Sequence, residues 1–383
     1  MTKPYVGREQ TETKHFILKG YLEALAFKVL TFSDITYVDG FSGPWKAKTE
    51  DFSDSSFMIA IDVLKTAQRK IFEQKKVWRN IRCFFSENDS GAYAQLVAAV
   101  SPHDKSGFEI KTFKGKFEDA IVEINSFAGN SFPLIFIDPT GWTGYPFTKI
   151  KPLFDRDKCE VLINFMYDFV NRFVNSGDPE TIASLDPILG GPGWQSRLDA
   201  SQHRGIAVEK LFRQTLKEVG GFEFVVSTKI DKSTVDRPHF FMAYGTKNRA
   251  GLLAFREIEF KAQKEHAKSR ATAKDKKRSE QSGIDDLFSD HHAHLQESTI
   301  EDLVEEQKSL ASADVLNFLS QSKAIQFAKV VDMLLQSFML RETNVKDICI
   351  DLFNKGKIEN TWGNSPRKPR DESLIRLARQ IDS

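Results

Sequence analysis

Cysteine is scarce, with three thiols in 383 residues. Cys83, Cys159 and Cys349 are far apart in the chain and form no CxxC pair. Two of them fall in apolar runs (Arg82-Cys83-Phe84-Phe85 and Ile348-Cys349-Ile350), so they read as core thiols rather than metal or redox groups. Net charge is nearly missing as well. Lys and Arg number 54 against 53 Asp and Glu, a formal +1, so whole-chain charge argues neither for nor against nucleic acid and any basic surface must be local. No apolar run approaches the length of a membrane span, and the first residues lack the basic-then-apolar profile of a secretion signal. A Gly-x-Gly-x-x-Gly turn is also absent, which counts against a nicotinamide dinucleotide site. The expectation is a cytoplasmic globular protein without a membrane segment. It is long enough for two domains, one of them with a full α/β core.

What the sequence does have is alternation. From residue 35 to about 165, short apolar runs of β type (35–38, 81–86, 108–112, 134–137, 161–164) alternate with stretches of helical spacing (56–72, 92–100, 117–127, about 148–154). Near-continuous apolar strands separated by helices predict a parallel, doubly wound, Rossmann-like sheet. Right-handed crossovers then bring the strand carboxyl ends to one edge, where ligands bind. Residues 166–205 break the pattern, and Leu189-Gly190-Gly191-Pro192-Gly193-Trp194 reads as a turn cluster within an insertion. Runs at 222–230 and 239–244 lie too close together for a helical crossover, and predict an antiparallel pair at the sheet edge.

Composition changes near residue 261. Residues 261–278 are rich in Lys, Arg, Ala and Gln, and 279–294 are polar. This predicts a solvated helix running into a flexible linker, with His291, His292 and His294 in a polar loop that lacks nearby carboxylate or thiol partners for a metal. The tail recovers amphipathic periodicity. It predicts helices over 315–319, 324–340 and 345–353, a stop at Gly356, a short strand over 357–360, a basic Gly/Pro loop over 362–370 and a last helix near 373–379. That order suits a winged-helix-like domain, the alternative being a small helical dimerisation domain. The expected organisation is an α/β domain over 1–260, a charged helix and linker over 261–312, and a winged-helix-like domain over 313–383. Arg367, Lys368 and Arg370 would then lie on an exposed wing as nucleic-acid contacts.

Four strand ends carry polar residues. The first is Asp39-Gly40-Phe41-Ser42-Gly43-Pro44, a glycine turn that lets backbone approach a ligand, opened by an acid that suits a cofactor with a cationic amino-acid end. The second strand ends in Ser86-Glu87, where a carboxylate can accept both hydroxyls of a ribose. After the third come Phe117 and Glu118, an aromatic and an acid that could hold an adenine, or equally an acidic helix start. The fourth strand runs out into Asp138-Pro139-Thr140-Gly141-Trp142.

Together with Lys14-His15, Lys19, Tyr21-Leu22 and Ser55-Ser56, these motifs resemble the bacterial three-Cys-motif partner family. That family joins a class I S-adenosylmethionine methyltransferase-like domain to a winged-helix-like tail, and is named for its genomic pairing with a cysteine-motif protein. The resemblance implies an open parallel sheet with an antiparallel last strand. It also implies S-adenosyl-L-methionine as cofactor, with His15, Asp39, Gly40, Phe41, Ser42, Gly43, Glu87, Phe117 and Glu118 around it. Asp138-Pro139 is similar to the catalytic loop of methyltransferases that act on exocyclic base amines. On that likeness Asp138 orients the amine, Pro139 shapes the loop, and Trp142 or Tyr145 stacks on the base. Trp142 stands one residue later than the usual aromatic, and the Asp-Pro-x-Gly form is similar to enzymes that methylate guanine in transfer RNA. The expected activity is methyl transfer to a base amine in RNA or DNA, with RNA and guanine favoured. The alternative is an inactive methyltransferase-fold module that recruits nucleic acid or a partner such as a three-Cys-motif protein. Tyr244, Asn164 and His15 are further candidates for the chemistry.

Overall fold

In the computed structural model the described residues are 5–44, 47–168, 170, 178–282, 289–363 and 368–379. Two compact units divide at 251/252, nine residues before the expected boundary.

The first unit is built on a seven-stranded sheet. Its strands are β1 Ile35–Asp39, β2 Ile81–Glu87, β3 Phe108–Lys114, β4 Phe132–Ile137, β5 Glu160–Phe165, β6 Phe224–Asp231 and β7 Pro238–Thr246. They lie in the order β3-β2-β1-β4-β5-β7-β6, with β7 antiparallel to both neighbours and the pairs among β1–β5 parallel. This is the doubly wound α/β sheet expected from the alternation, closed by the antiparallel strand pair expected at its edge and implied by the methyltransferase resemblance. Strand order reverses between β1 and β4, so the loops that follow these two strands flank a crevice at the carboxyl edge.

The crossover helices are α2 Ser56–Lys75, α3 Ser90–Val100, α4 Ile121–Ala128 and α5 Phe147–Phe154. Local chemistry starts two of them: Ser55 and Asp89 cap α2 and α3 by accepting from the backbone N–H of Met58 and Ala92. Two further helices, α1 Glu9–Val29 and α6 Arg204–Gly220, lie outside the alternation read from the sequence. The turn cluster is present, with Gly190, Gly191 and Gly193 all at positive φ.

Side-chain alternation along the strands sorts their residues onto two faces. Val38, Phe84, Ile135, Ile137, Val161, Ile163 and Phe165 join one apolar cluster with α4, α5 and α6. The intervening positions, Tyr37 and Asp39, Phe85 and Glu87, Phe136 and Asp138, Leu162 and Asn164, point to the other face. The polar residues at four strand ends therefore share one phase and one side of the sheet.

The second unit corrects several expectations. The helix expected over 261–278 is present as part of α7 Arg249–Ser282, whereas the described residues from 289 belong to α8 Ser289–Gln321. His291, His292 and His294 thus fall in a helix rather than a loop. Within the basic stretch of α7, Ala262, His266, Ala271 and Asp275 are buried, and Lys264 links α7 to α8 through Glu297 and Glu301 at 3.3 and 2.9 Å. The expected helix over 315–319 is the end of α8.

Next come β8 Ile325–Gln326, α9 Phe327–Ser337, α10 Glu342–Asn354 and β9 Leu374–Ile375. β8 pairs with β9, and Ile358 bridges Leu377. The segment near 373–379 is therefore strand-like rather than helical, with Ile375 buried between exposed Leu374 and Leu377. Gly356 is at φ 65, as a helix stop requires. Lys368 is exposed but pairs with Asp347 of α10 at 2.8 Å. Arg370 is exposed, and Arg367 lies outside the described residues.

Candidate functional site

A cavity of about 820 Å³ opens at the carboxyl edge of the sheet. One side is built from the ends of β1 and β2. Ser42 N donates to Ser86 O at 2.9 Å and Ser86 Oγ donates to Gly40 O at 2.8 Å, so the glycine turn is tied to the neighbouring strand. Phe117 folds over this turn. A Cβ on Gly40 would stand 2.8 Å from the ring, so only glycine admits that approach. Glu87 closes this side, with its Oε1 accepting from Asp89 N at 2.6 Å. Gly40, Phe41, Gly43, Glu87, Phe117 and Glu118 all line the cavity, although Glu118 pairs with Lys149 at 2.8 Å.

The expected Asp39 and Ser42 are placed differently. Both are buried under the turn and do not line the cavity. Asp39 accepts from Ser56 Oγ at 2.6 Å and from Phe41 N at 3.1 Å. Burial pushes its carboxyl up to about 6, although these hydrogen bonds pull the other way.

The other side is built from β4, β5 and α1. Ile137 is in register with Ile163, so Asp138 and Asn164 emerge side by side. Asn164 Nδ2 donates to Asp138 Oδ1 at 2.7 Å, and Lys14 Nζ forms an ion pair with Asp138 Oδ2. Burial alone would raise the Asp138 carboxyl, but the Lys14 ammonium and the two hydrogen bonds hold it below the usual range. It is therefore ionised at neutral pH. His15 is buried beside Lys14, and its ring is pushed down to about 3 by burial and that cation. Its Nδ1 lies 2.9 Å from the Tyr5 hydroxyl, and the ring is neutral at neutral pH.

Pro139 lines the cavity with Asp138, but the two expected stacking rings do not. Trp142 donates from Nε1 to Ser184 Oγ at 2.9 Å and packs on the cluster of the opposite face. Tyr145 is fully buried in that cluster. The rings at the cavity on this side belong instead to His15 and to His239 and Phe240, the last two 5.3 Å apart at the start of β7.

Sequence reasoning had no role for Arg8, Thr11 and Asp54, and gave Lys14 none of its own. Arg8 pairs with Asp54 at 2.7 Å and both line the cavity. A signal was present in the spacing: Arg8, Thr11, Lys14 and His15 form a polar stripe at helical intervals, beside buried Ile17, Leu18, Tyr21 and Leu22.

No protein-family model matches the chain, and no curated protein matches it. The family therefore remains a resemblance carried by motifs. Among solved structures, one that matches is described as "Loganic acid methyltransferase with SAH", at a TM-score of 0.32 and 10% identity, covering 78% of this chain and 90% of that one. A likeness at that level carries no argument about chemistry.

Proposed function

We propose that the chain is an S-adenosylmethionine-dependent methyltransferase acting on an exocyclic base amine of nucleic acid, with RNA favoured over DNA and guanine over adenine. The observation that carries this reading is the convergence of two polar sets on one cavity. Gly40, Gly43, Glu87 and Phe117 form one side, and Lys14, Asp138, Pro139 and Asn164 form the other.

The residues fit the cofactor. The glycine turn leaves its backbone open to close approach, Glu87 can accept both ribose hydroxyls, and Phe117 with Glu118 suits an adenine. When bound, the cofactor supplies an electrophilic methyl on a sulfonium. The chain's part is to hold a nucleophile in line with that methyl and to keep charge balanced around it. Reaching a duplex base would require flipping it out, at roughly a few kcal/mol, and a loop or single strand avoids most of that cost.

Asp39 provides a test by pH. Its folded value of about 6 lies above the ordinary 3.8, so its contribution to stability is present below about 4 and is lost as pH rises through 6. Above pH 6 it is a buried anion beneath the turn. S-adenosylmethionine, with its sulfonium charge, should bind severalfold more tightly at pH 7.5 than at pH 5, and S-adenosylhomocysteine should change less. Asp39→Asn should flatten the difference and raise the melting temperature at neutral pH, the gain being at most about 3 kcal/mol. Calorimetric titration at both pH values checks this. Undetectable binding of either compound by folded protein at millimolar concentration would remove the reading.

In the second unit the order strand–helix–helix–bridge–strand (β8, α9, α10, Ile358, β9) suits a winged helix, which we take as the recognition unit for nucleic acid. Neutralising Arg367, Lys368 and Arg370 together should flatten the salt dependence of RNA binding, since each phosphate contact adds about −0.7 to −0.9 to the log–log slope. Lys368 should contribute least, because it must first leave Asp347. An unchanged slope would assign the unit to protein binding instead.

A further inference from the structure

Asn164 is 3% exposed, yet its side chain is satisfied at one end only. Nδ2 donates to Asp138 Oδ1 at 2.7 Å and meets Met166 Sδ at 3.3 Å, whereas Oδ1 accepts no hydrogen bond from any described residue. The amide cannot be turned round. Asp138 is kept ionised by Lys14 and can only accept, so a flipped amide would set oxygen against carboxylate oxygen. Buried polar atoms are nearly always paired, and an exception calls for a cause. Here the cause is the position: Asn164 lines the cavity beside Asp138, Met166 and Phe240. Met242 lies opposite Asn164 in the sheet, so Phe240, two residues along β7, shares its face.

We infer that Asn164 Oδ1 is the acceptor for an N–H of the nitrogen that receives the methyl group, and that Asp138 acts through Asn164 by fixing the amide with its oxygen toward the substrate. This rests on the methyl-transfer reading above. Holding one N–H against Oδ1 turns the nitrogen's lone pair away from that bond and toward the methyl. The lone pair forms the N–C bond, the C–S bond breaks with its electrons to sulfur, and the sulfonium becomes a neutral thioether. The nitrogen carries the positive charge until its proton leaves to water. An N–H donor that gains charge bonds more strongly to a neutral acceptor, so Asn164 favours the transition state over the ground state. Asp138, already balanced by Lys14, supplies orientation rather than the contact.

The probes are guanosine, adenosine and cytidine, titrated into the full chain saturated with S-adenosylhomocysteine. One nucleoside should bind at millimolar or lower concentration, and Asn164→Ala should weaken it about tenfold or more while S-adenosylhomocysteine binds as before. The N,N-dimethyl form of the same nucleoside lacks the donor. It should bind the wild type as weakly as its parent binds Asn164→Ala, with no further loss in the variant, as a closed double-mutant cycle requires. Asn164→Gln keeps both amide groups, should melt near the wild type, and should give an intermediate loss. Nucleoside binding indifferent to Asn164, or no nucleoside binding while S-adenosylhomocysteine still binds, would overturn the inference and leave the cofactor reading standing. Failure of the wild type to bind S-adenosylhomocysteine would instead remove the reading beneath it.

Discussion

Asp138→Ala should lower methyl transfer by about a hundredfold or more, with folding and cofactor affinity retained. The carboxylate lines the cavity rather than filling the core, so its removal leaves little void. Its loss frees two neighbours at once. Asn164 Nδ2 loses the acceptor that sets the amide's orientation, and the Lys14 ammonium loses its counter-charge. A nucleophile displaced by about an ångström can by itself cost that factor. Asp138→Asn is the sharper probe. It keeps an acceptor for Lys14 but removes the charge, and its own amide can donate to Asn164, which then has no reason to hold its nitrogen inward. The expected rate lies close to that of the Ala variant. An Asn variant retaining most of the activity would mean that orientation needs only an oxygen. Single-turnover rates on RNA, beside calorimetry of cofactor binding, separate the two effects.

Glu87→Ala should act on the other side of the cavity and on the other parameter. Removing a carboxylate that bonds a ribose hydroxyl costs about 1.5–3 kcal/mol, roughly ten- to a hundredfold in cofactor affinity. Turnover at saturating cofactor should change little, because Glu87 lies at the end of β2, two strands away from Asp138. Its carboxylate also accepts from Asp89 N at the start of α3. Glu87→Gln keeps that acceptor and should fall between the wild type and Ala. A Glu87→Ala variant that lowers turnover and leaves affinity untouched would place the ribose elsewhere.

The sheet was legible because its central strands are bounded by turn residues and buried on both faces, a pattern that leaves near-continuous apolar runs such as 134–137 and 161–163. The antiparallel edge followed from the short gap before Pro238, which no helical crossover could span. Asp39, Glu87 and Asp138 stood out as acids ending such runs, and Asn164, next to last in β5, lies in the same phase. Two long helices escaped the alternation. Glu9–Val29 precedes the first strand, and Arg204–Gly220 follows an insertion rich in glycine. Trp142 was misplaced because position in a motif says nothing about face. Its ring turns toward the cluster under α4–α6, where Ser184 accepts its N–H. The burial within 261–278 was not legible in composition, since small Ala262 and Ala271 and polar His266 and Asp275 are buried there without raising hydropathy. Near 373–379, helix and strand could not be told apart in so short a run; pairing of Leu374 and Ile375 with β8 decides for strand.

The most direct test of the account is transfer itself. Purified protein, methyl-labelled S-adenosylmethionine, and total RNA or genomic DNA from cells lacking the gene would be incubated together and digested to nucleosides. Label should appear in the RNA fraction as a base methylated on its exocyclic nitrogen, with guanine the favoured base, and should be lost with Asp138→Ala. Label absent from both RNA and DNA, from protein that binds the cofactor, would contradict it and leave an inactive binding module in its place.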